Sequence, residues 1–324
     1  MTTMTLGKAL NAGLRRAMDE DSKVIVLGED VGILGGVFRI TEGLQKDFGE
    51  QRVVDSPLSE SGIIGTAIGL ALKGYRPVCE IQFDGFIYPA FNQIVSQLAK
   101  MRARSGGLIK LPVVIRIPVG GGIGAVEHHS ESNEAYFAHT AGLRVVSCSN
   151  PSDAYRLIRS AIASDDPVVF YEPKRRYWDK GDVDLDAGLA SLDRALVLRK
   201  GDDCTLVAHG PTVKTALAAA DAAAEDGVSV GVVDLRTISP LDVDTLQRCA
   251  EHTGRIVVVH EASTFLGIGA EIAAAVTESC FYALQAPVLR VGAYNIPYPP
   301  AKVEDHFLPD IDRVLDAVDR SLQF

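Results

Sequence analysis

Cysteine is scarce in this chain and widely spread. Five cysteines occur among 324 residues, and the closest pair in sequence, Cys249 and Cys280, is 31 residues apart. There is no Cys-X-X-Cys pair, so the spacing of structural zinc sites and of redox-active cysteine motifs is absent. An odd number of dispersed cysteines predicts reduced thiols, as in a cytoplasmic protein.

Basic charge and long apolar runs are lacking as well. The chain has 32 Lys and Arg against 42 Asp and Glu, a net charge of −10, which argues against the basic face that nucleic-acid binding requires. No apolar run reaches the length of a membrane span. Met1–Met4 leads directly into an amphipathic pattern over Leu6–Met18, so we expect no signal peptide. These absences predict a cytoplasmic protein that binds neither nucleic acid nor membranes.

Phosphate-binding glycine motifs are also missing. No Gly-X-X-X-X-Gly-Lys-[Ser/Thr] occurs, and the run Gly120–Gly124 lacks the Gly-X-Gly-X-X-Gly spacing. The residues after it, Ala125–His129, do not open a helix that could hold a pyrophosphate. We interpret Gly120–Gly124 as a loop whose backbone can approach a ligand closely.

What the sequence does contain is a regular alternation of short β-branched runs and helical patterns. Strands are predicted in the first half at Val24–Leu27, Val78–Phe83, Val113–Ile117, Arg144–Val146 and Val168–Tyr171. Helices are predicted between them, near Gly62–Leu72, Gly85–Arg104, Ser132–Ala138 and Asp153–Ala163. Such alternation predicts a mainly parallel sheet covered by helices.

A second alternation follows a stretch without period, from Pro173 to about Leu192, which we interpret as an interdomain linker. Later strands are predicted at Thr205–Ala208, Val228–Asp234, Ile256–Val259 and Val288–Val291. Later helices are predicted at Val213–Glu225, Asp242–Glu251, Ala270–Ser279 and Asp312–Leu322. We therefore predict an α/β protein with two open, mainly parallel-sheet domains, residues 1–190 and 191–324.

One acid stands at the start of an apolar, glycine-spaced helix. Glu60 lies within Asp55–Gly62, just before the apolar stretch Ile63–Gly74, where the helix dipole favours a negative charge. A carboxylate in a protected cleft could hand a proton to a bound heterocycle. An acid in a first helical turn is also an ordinary helix cap, so both roles stay open at this point.

Two further stretches could face a ligand. Gln82 lies at the end of a predicted strand and Phe86 follows it, and ligands of open parallel sheets gather at the carboxyl ends of strands. The aromatic residues there could equally be core. His128 and His129 come shortly after Gly120–Gly124, where a histidine can be catalytic or merely a hydrogen-bonding partner.

As a set, these stretches and several others resemble one family, the β subunit of the thiamine-diphosphate-dependent dehydrogenase component of 2-oxo acid dehydrogenase complexes. The similarity runs from about Leu6 to the C-terminus. The stretches that carry it are Asp55–Gly62, Glu80–Phe83, Tyr88–Val95, Arg102–Gly107, His129–Glu131, Glu172–Lys174, Val233–Thr237, Thr253–Arg255 and Ala286–Arg290.

The resemblance implies a pyrimidine-binding domain for thiamine diphosphate followed by a transketolase C-terminal-like domain. By position, Glu60 would bond to a ring nitrogen of the cofactor's aminopyrimidine and promote its imino tautomer. Phe86 would stack on the pyrimidine, and Leu58 and Gln82 would line the pocket. His129 would act with groups of a partner chain during decarboxylation and acyl transfer to a lipoyl arm.

The resemblance also implies partners. The family's diphosphate and Mg²⁺ motif, a Gly-Asp-Gly followed by a distant Asn, does not occur here; Gly201–Asp203 is the nearest string. That motif belongs to the α chain, which would hold Mg²⁺ and the diphosphate end of the cofactor. The implied assembly is a heterotetramer of two α and two β chains, docked on a lipoylated acyltransferase core.

The resemblance also implies a potassium site, built largely from backbone carbonyls, with side-chain oxygens from Ser164 and Asp166. The residues of this site are Leu111, Val113, Val114, Ala161, Ile162, Ser164 and Asp166. Relatives often have an aspartate where this chain has Ser164, and Asn295-Ile296 stands where many have Asp-Thr.

The implied activity is that of an oxidoreductase that decarboxylates a 2-oxo acid and acylates a lipoyl group. Tyr88–Val95, Glu172–Tyr177 and Glu127–Ser132 are more similar to branched-chain enzymes than to pyruvate enzymes. Pyruvate or acetoin dehydrogenase is the alternative within the class. A non-catalytic assembly scaffold is the alternative from another class, and a stand-alone transketolase-like enzyme is disfavoured by the missing diphosphate motif.

Overall fold

The computed structural model describes all 324 residues and divides the chain into two compact units. The first unit comprises Met1–Val119 and Tyr136–Leu192, and the second comprises Gly120–Ala135 and Asp193–Phe324. The segment Gly120–Ala135 thus belongs to the second unit although it lies in the first half of the sequence, a grouping that the sequence pattern does not indicate.

Short strands and helices alternate up to Leu192. The strands are β1 (Thr2–Thr5), β2 (Val24–Gly28), β3 (Val53–Asp55), β4 (Arg76–Glu80), β5 (Val114–Val119), β6 (Arg144–Ser147), β7 (Val168–Pro173) and β8 (Lys180–Val183). The helices are α1 (Leu6–Glu20), α2 (Leu44–Phe48), α3 (Glu60–Leu72), α4 (Ala99–Arg104), α5 (Glu134–Ala138) and α6 (Pro151–Ala163).

The main sheet of the first unit is parallel, and its strands run in the order β6-β7-β5-β4-β2-β3. Helices α1 and α6 pack on each other, and their apolar faces join the core of this unit. They approach closely at Gly13, where a Cβ would lie 2.5 Å from Cγ2 of Ile158. Each helix starts at a side-chain cap, since Thr5 accepts from the Lys8 N–H and Asn150 accepts from the Asp153 N–H.

The second unit repeats the α/β principle. Its strands are β9 (Leu196–Arg199), β10 (Cys204–Ala208), β11 (Val230–Asp234), β12 (Thr237–Ser239), β13 (Ile256–Ser263) and β14 (Leu289–Ala293). Its helices are α7 (Thr212–Glu225), α8 (Val243–Thr253), α9 (Ile268–Cys280), α10 (Glu304–Phe307) and α11 (Ile311–Leu322). The sheet order is β14-β13-β10-β11-β9, parallel except for the antiparallel edge strand β9. Apolar residues of α7 and α11 fill the core with this sheet.

The predicted fold class is confirmed: both sheets are mainly parallel and covered by helices. The predicted single helix over Gly85–Arg104 is wrong. A 3₁₀ segment spans Asp84–Ala90, a π-helical segment spans Gln93–Leu98, and only Ala99–Arg104 is α-helical. Pro89 lies inside the 3₁₀ segment and has no N–H to donate, which works against a regular α-helix there. All five cysteines are free thiols.

The segment 173–192, predicted as a linker, is folded into the first unit. Strand β8 pairs with β1 in a small antiparallel sheet. Four residues of the segment 173–192 belong to the core of the first unit: Tyr177, Val183, Ala190 and Leu192. The part of the segment after β8 has no regular structure, and side chains of α6 bind its backbone. The Tyr155 hydroxyl, for example, donates to the Leu185 carbonyl at 2.7 Å. Hydrogen bonds from side chains to the backbone require no periodic spacing of apolar residues. The sequence of this segment therefore looks like that of a linker.

No helix of the structure combines the length and apolar character needed to cross a membrane.

Candidate active site

Three neighbouring parallel strands bring the predicted residues of the first unit to one edge of the sheet. Strand β2 lies between β4 and β3, and its last residue, Gly28, is in register with both Asp55 and Glu80. The strands therefore end side by side. The residues that follow them, which include Glu29, Glu60 and Gln82, emerge at the carboxyl edge, where open parallel sheets bind ligands.

Glu60 is the first residue of α3, and only 8% of its surface is exposed. The helix is capped by Ser59 instead, whose hydroxyl oxygen accepts from the Gly62 N–H at 3.3 Å. The Glu60 carboxylate has no hydrogen-bond partner within the chain. The capping role left open by the sequence is thus filled by Ser59, and Glu60 is a mostly buried acid available for a ligand.

A second acid beside Glu60 was not singled out from the sequence. Glu29 directly follows β2, and one of its carboxylate oxygens is buried without a hydrogen-bond partner. Burial, and next to it the negative charge of Glu60, raise the pKa of Glu29. Its place one residue after a buried strand, at the same sheet edge as Glu60, is the signal that could have found it.

The turn after β4 carries Gln82 and Phe86. Both side chains are half-buried, and the Phe86 ring meets Phe83 edge-on at 5.6 Å between centroids. The turn is anchored by a fully buried ion pair, in which Lys174 Nζ lies 2.9 Å from Asp84 Oδ1. Leu58, the remaining predicted pocket residue, is 81% exposed at the approach to α3.

Beneath this edge lies a second buried ionic network, centred on Arg116. Its guanidinium binds both carboxylate oxygens of Glu172, at 2.7 and 3.0 Å, and one oxygen of Glu80 at 2.8 Å. The Tyr177 hydroxyl donates to Glu172 at 2.7 Å. Burial raises the pKa of Glu80 even with the arginine beside it. The network holds the end of β4, two residues before Gln82.

His129 lies in the second unit, at the end of a short 3₁₀ turn over Glu127–His129. Its ring is half-buried, and the neighbouring His128 ring is exposed, with 4.4 Å between the two centroids. The two imidazoles thus lie against each other, and the His129 ring is the more buried of the two.

The residues of the implied potassium site lie at the opposite, amino end of two strands, before or at the start of β5 and β7. Arg76 Nη1 already donates to the carbonyl oxygens of Ile162 and Ser164, both at 3.0 Å. The Asp166 carboxylate is paired with Arg102. Guanidinium groups therefore supply positive charge to the oxygens that a potassium ion would need. The potassium site stays a prediction that rests on the sequence resemblance.

No group of three or more His, Cys, Asp or Glu side chains is arranged to hold a metal ion.

Two protein families match this chain. The family described as "Transketolase, pyrimidine binding domain" matches residues 2–179, and "Transketolase, C-terminal domain" matches residues 193–314. Together they cover most of the sequence. The chain therefore has the transketolase-like architecture of thiamine-diphosphate proteins.

Individual relatives show which group of transketolase-like proteins the chain belongs to. The chain is 58% identical over 322 residues to "Pyruvate dehydrogenase E1 component subunit beta" of Leifsonia xyli subsp. xyli, covering 99% of this chain and 96% of the relative. It is 52% identical over 322 residues to "3-methyl-2-oxobutanoate dehydrogenase subunit beta" of Mycobacterium tuberculosis, covering 99% and 92%. This chain belongs to the β subunits of 2-oxo acid dehydrogenase E1 components, as its sequence predicts.

A solved structure shows the same fold at low sequence identity. It is titled "Split gene transketolase, inactive beta4 tetramer" and has a TM-score of 0.81 at 24% identity, covering 99% of this chain and 98% of that one.

Proposed function

We propose that this chain, together with an α chain, catalyses the thiamine-diphosphate-dependent oxidative decarboxylation of a 2-oxo acid and transfers the acyl group to a lipoyl arm. The observation that carries the proposal is the Glu60 carboxylate, which is mostly buried, unpaired within the chain and aligned with Gln82 and Phe86 at one sheet edge. A scaffold needs no such arrangement.

The residues at this edge fit the pyrimidine end of thiamine diphosphate. An aminopyrimidine needs a carboxyl group for a ring nitrogen, a polar group for its other edge and an aromatic face to stack on; Glu60, Gln82 and Phe86 offer these, and Leu58 adds an apolar wall. When bound, the cofactor would supply the nucleophilic carbon that adds to the oxo group and accepts the electron pair left by decarboxylation.

Glu60 would hold a proton at the ring nitrogen of the pyrimidine. Glu29 lies beside Glu60, and burial, followed by the negative charge of Glu60, raises the pKa of Glu29. The apolar helix behind Glu60 keeps bulk water from the proton, since Ile63, Ile64 and Ala67 are buried.

An α chain is needed because this sequence lacks a motif for the diphosphate end of the cofactor. No Gly-Asp-Gly motif followed by a distant Asn occurs, so the diphosphate and its Mg²⁺ would be held by the α chain in a tetramer of two α and two β chains. The lipoylated acyltransferase core would be the further partner. We propose a cytoplasmic location on the composition alone.

We propose a branched-chain 2-oxo acid as the substrate. Similarity of Tyr88–Val95, Glu172–Tyr177 and Glu127–Ser132 to branched-chain enzymes supports a branched-chain 2-oxo acid, as does the relative named for 3-methyl-2-oxobutanoate. Pyruvate is the second candidate, favoured by the 58% identical relative named for it.

The test is turnover of the chain co-expressed with its α chain, on 3-methyl-2-oxobutanoate and on pyruvate. We expect kcat/KM to be higher for the branched substrate by about 10-fold or more, since a pocket discriminates by about 10- to 200-fold per apolar carbon. A preference for pyruvate would establish the second candidate. No turnover on any 2-oxo acid, with assembly intact, would instead indicate a scaffold.

His129→Ala should lower lipoamide-dependent turnover of the α–β enzyme by about 100-fold or more, the usual contribution of an acid–base group. His128→Ala is the matched control, because it removes the adjacent, exposed imidazole; we expect its rate to stay within about threefold of the parent rate. Equal losses in the two variants would show that His129 has no special role.

A further inference from the structure

His129 lies in a loop, Gly120–Glu131, whose two ends are joined by a hydrogen bond. The Gly120 N–H donates to the carbonyl oxygen of Glu131 at 3.2 Å, so the two ends of Gly120–Glu131 meet. Near its end, the His129 N–H donates to the Val126 carbonyl at 3.0 Å. The path of this loop therefore determines where the His129 imidazole lies. We call Gly120–Glu131 the glycine loop.

Buried carboxylates bind the backbone of the glycine loop. The Gly122 N–H donates to Oε2 of Glu304 at 3.1 Å, and the Gly124 N–H donates to Oε1 of the same side chain at 2.8 Å. The Gly121 N–H donates to Glu261 at 3.3 Å. Gly122 and Gly124 have positive φ, and a loop of this kind turns its N–H groups toward an anion. Here the anion is the protein's own Glu304, which is only 8% exposed.

Tyr298 completes the contact. Its hydroxyl donates to Glu304 Oε2 at 2.7 Å and accepts from the Gly122 N–H at 3.3 Å. A Cβ built on Gly121 would lie 2.0 Å from this hydroxyl, so no larger residue fits there unless the ring moves. Burial, and next to it the hydrogen bond to Glu304, raise the pKa of Tyr298, so the hydroxyl stays protonated and can donate. The ring packs edge-on against Phe307 at 5.0 Å.

We propose that Glu304, assisted by Tyr298, is a positioning residue for His129. Its two carboxylate oxygens hold two alternate amides of the glycine loop and so limit the conformations that the imidazole can reach. Small displacements of a reacting group cost about 100-fold in rate. This inference rests on the proposed role of His129 and adds two residues that the sequence did not indicate.

Glu304→Gln is the sharpest variant because it keeps the shape of the side chain. A glutamine has one acceptor oxygen and one amide that only donates. Whichever way it is turned, either Gly122 or Gly124 loses its acceptor on residue 304 and faces another donor there, and Gly122 would then keep only the weaker bond to the Tyr298 hydroxyl. We expect lipoamide-dependent kcat to fall by about 10- to 100-fold, with little change in KM for the 2-oxo acid. Glu225→Gln, the same change at an exposed position of α7, should have no effect.

A double-mutant cycle separates positioning from general structural damage. If Glu304 acts through His129, adding Glu304→Gln to His129→Ala should reduce the rate no further. If the two losses multiply, the positioning proposal is overturned while the proposed role of His129 stands. If His129→Ala has no effect, the role of His129 fails, and the positioning proposal fails with it.

Amide hydrogen exchange of the α–β enzyme supplies a readout independent of activity. Peptides covering the glycine loop should exchange about tenfold faster or more in Glu304→Gln, because a lost buried acceptor is enough to shift local opening by that factor. Unchanged exchange there would overturn the proposal. Tyr298→Phe, which removes one hydroxyl, serves if Glu304→Gln fails to assemble; it should reduce kcat by about two- to tenfold, and a parent-like rate and exchange would overturn the proposal.

Discussion

Glu60→Gln is expected to lower the turnover of the α–β enzyme by about 100- to 10,000-fold, the range that acid–base groups usually contribute. The amide keeps the size of the side chain but cannot hold the exchangeable proton at the pyrimidine nitrogen. Because Ser59 caps α3, the helix should form normally. The measurement is steady-state decarboxylation of the reconstituted enzyme, with assembly checked by size-exclusion chromatography.

Two comparisons make this result interpretable. Glu50→Gln is the same chemical change at an exposed position of the same unit, and its rate should match that of the parent. Glu29→Gln, next to Glu60, should have a smaller effect than Glu60→Gln if Glu60 is the residue that contacts the pyrimidine. A Glu60→Gln enzyme within about tenfold of the parent rate would remove Glu60 from the mechanism.

Arg116→Met should be the most destabilising single substitution considered for the first unit. Arg116 is 1% exposed and binds Glu172 and Glu80, so its loss leaves two buried carboxylates without a counter-charge. Breaking a buried ion pair in this way costs about 3–5 kcal/mol. For a protein of this size we expect a drop in thermal midpoint of roughly 6–15 °C, measured by differential scanning fluorimetry.

The pH dependence gives a second measure of the same effect. Burial raises the pKa of Glu80, and the charge of Arg116 opposes that rise, so the pKa of Glu80 should be higher still without the guanidinium. An acid with a raised pKa in the folded state loses stability as the pH rises through that value. The deficit of Arg116→Met should therefore shrink between about pH 8 and about pH 5.

Arg16→Met is the matched control, since Arg16 forms an exposed pair with Glu20. It should move the midpoint by no more than about 2 °C. If the thermal midpoint of Arg116→Met falls by no more than that of the control, the buried network does not stabilise the unit.

Much of the fold was accessible from the sequence because strands and helices in parallel sheets have strong periods. The runs at β2, β4, β5, β6 and β7 were found within a few residues, and so was α6. The elements that were missed are short or irregular: β3 has three residues, and β8 pairs only with β1. Stability in such elements comes from distant partners, which leave no local pattern.

The candidate site divides in the same way. Glu60, Gln82 and Phe86 could be singled out because each follows a strand or opens a helix with a recognisable pattern. Glu29 was missed because one acid after a strand is common, and its importance depends on the neighbouring charge of Glu60. Glu304 and Tyr298 lie more than 170 residues after Gly122 in the sequence, and no spacing rule links them to the glycine loop.

The sequence by itself determined the fold class and the family, because these depend on periodic patterns and on several short motifs taken together. The pairing of Glu60 with a pyrimidine-type cofactor is a prediction from the same motifs. Only the tertiary structure decided which groups share an environment. It showed that Ser59, and not Glu60, caps α3, that guanidinium groups face the implied potassium site, and that Glu304 binds the glycine loop. Charges, hydrogen bonds and burial depend on distances in space, and these are set by the packing of segments far apart in the chain.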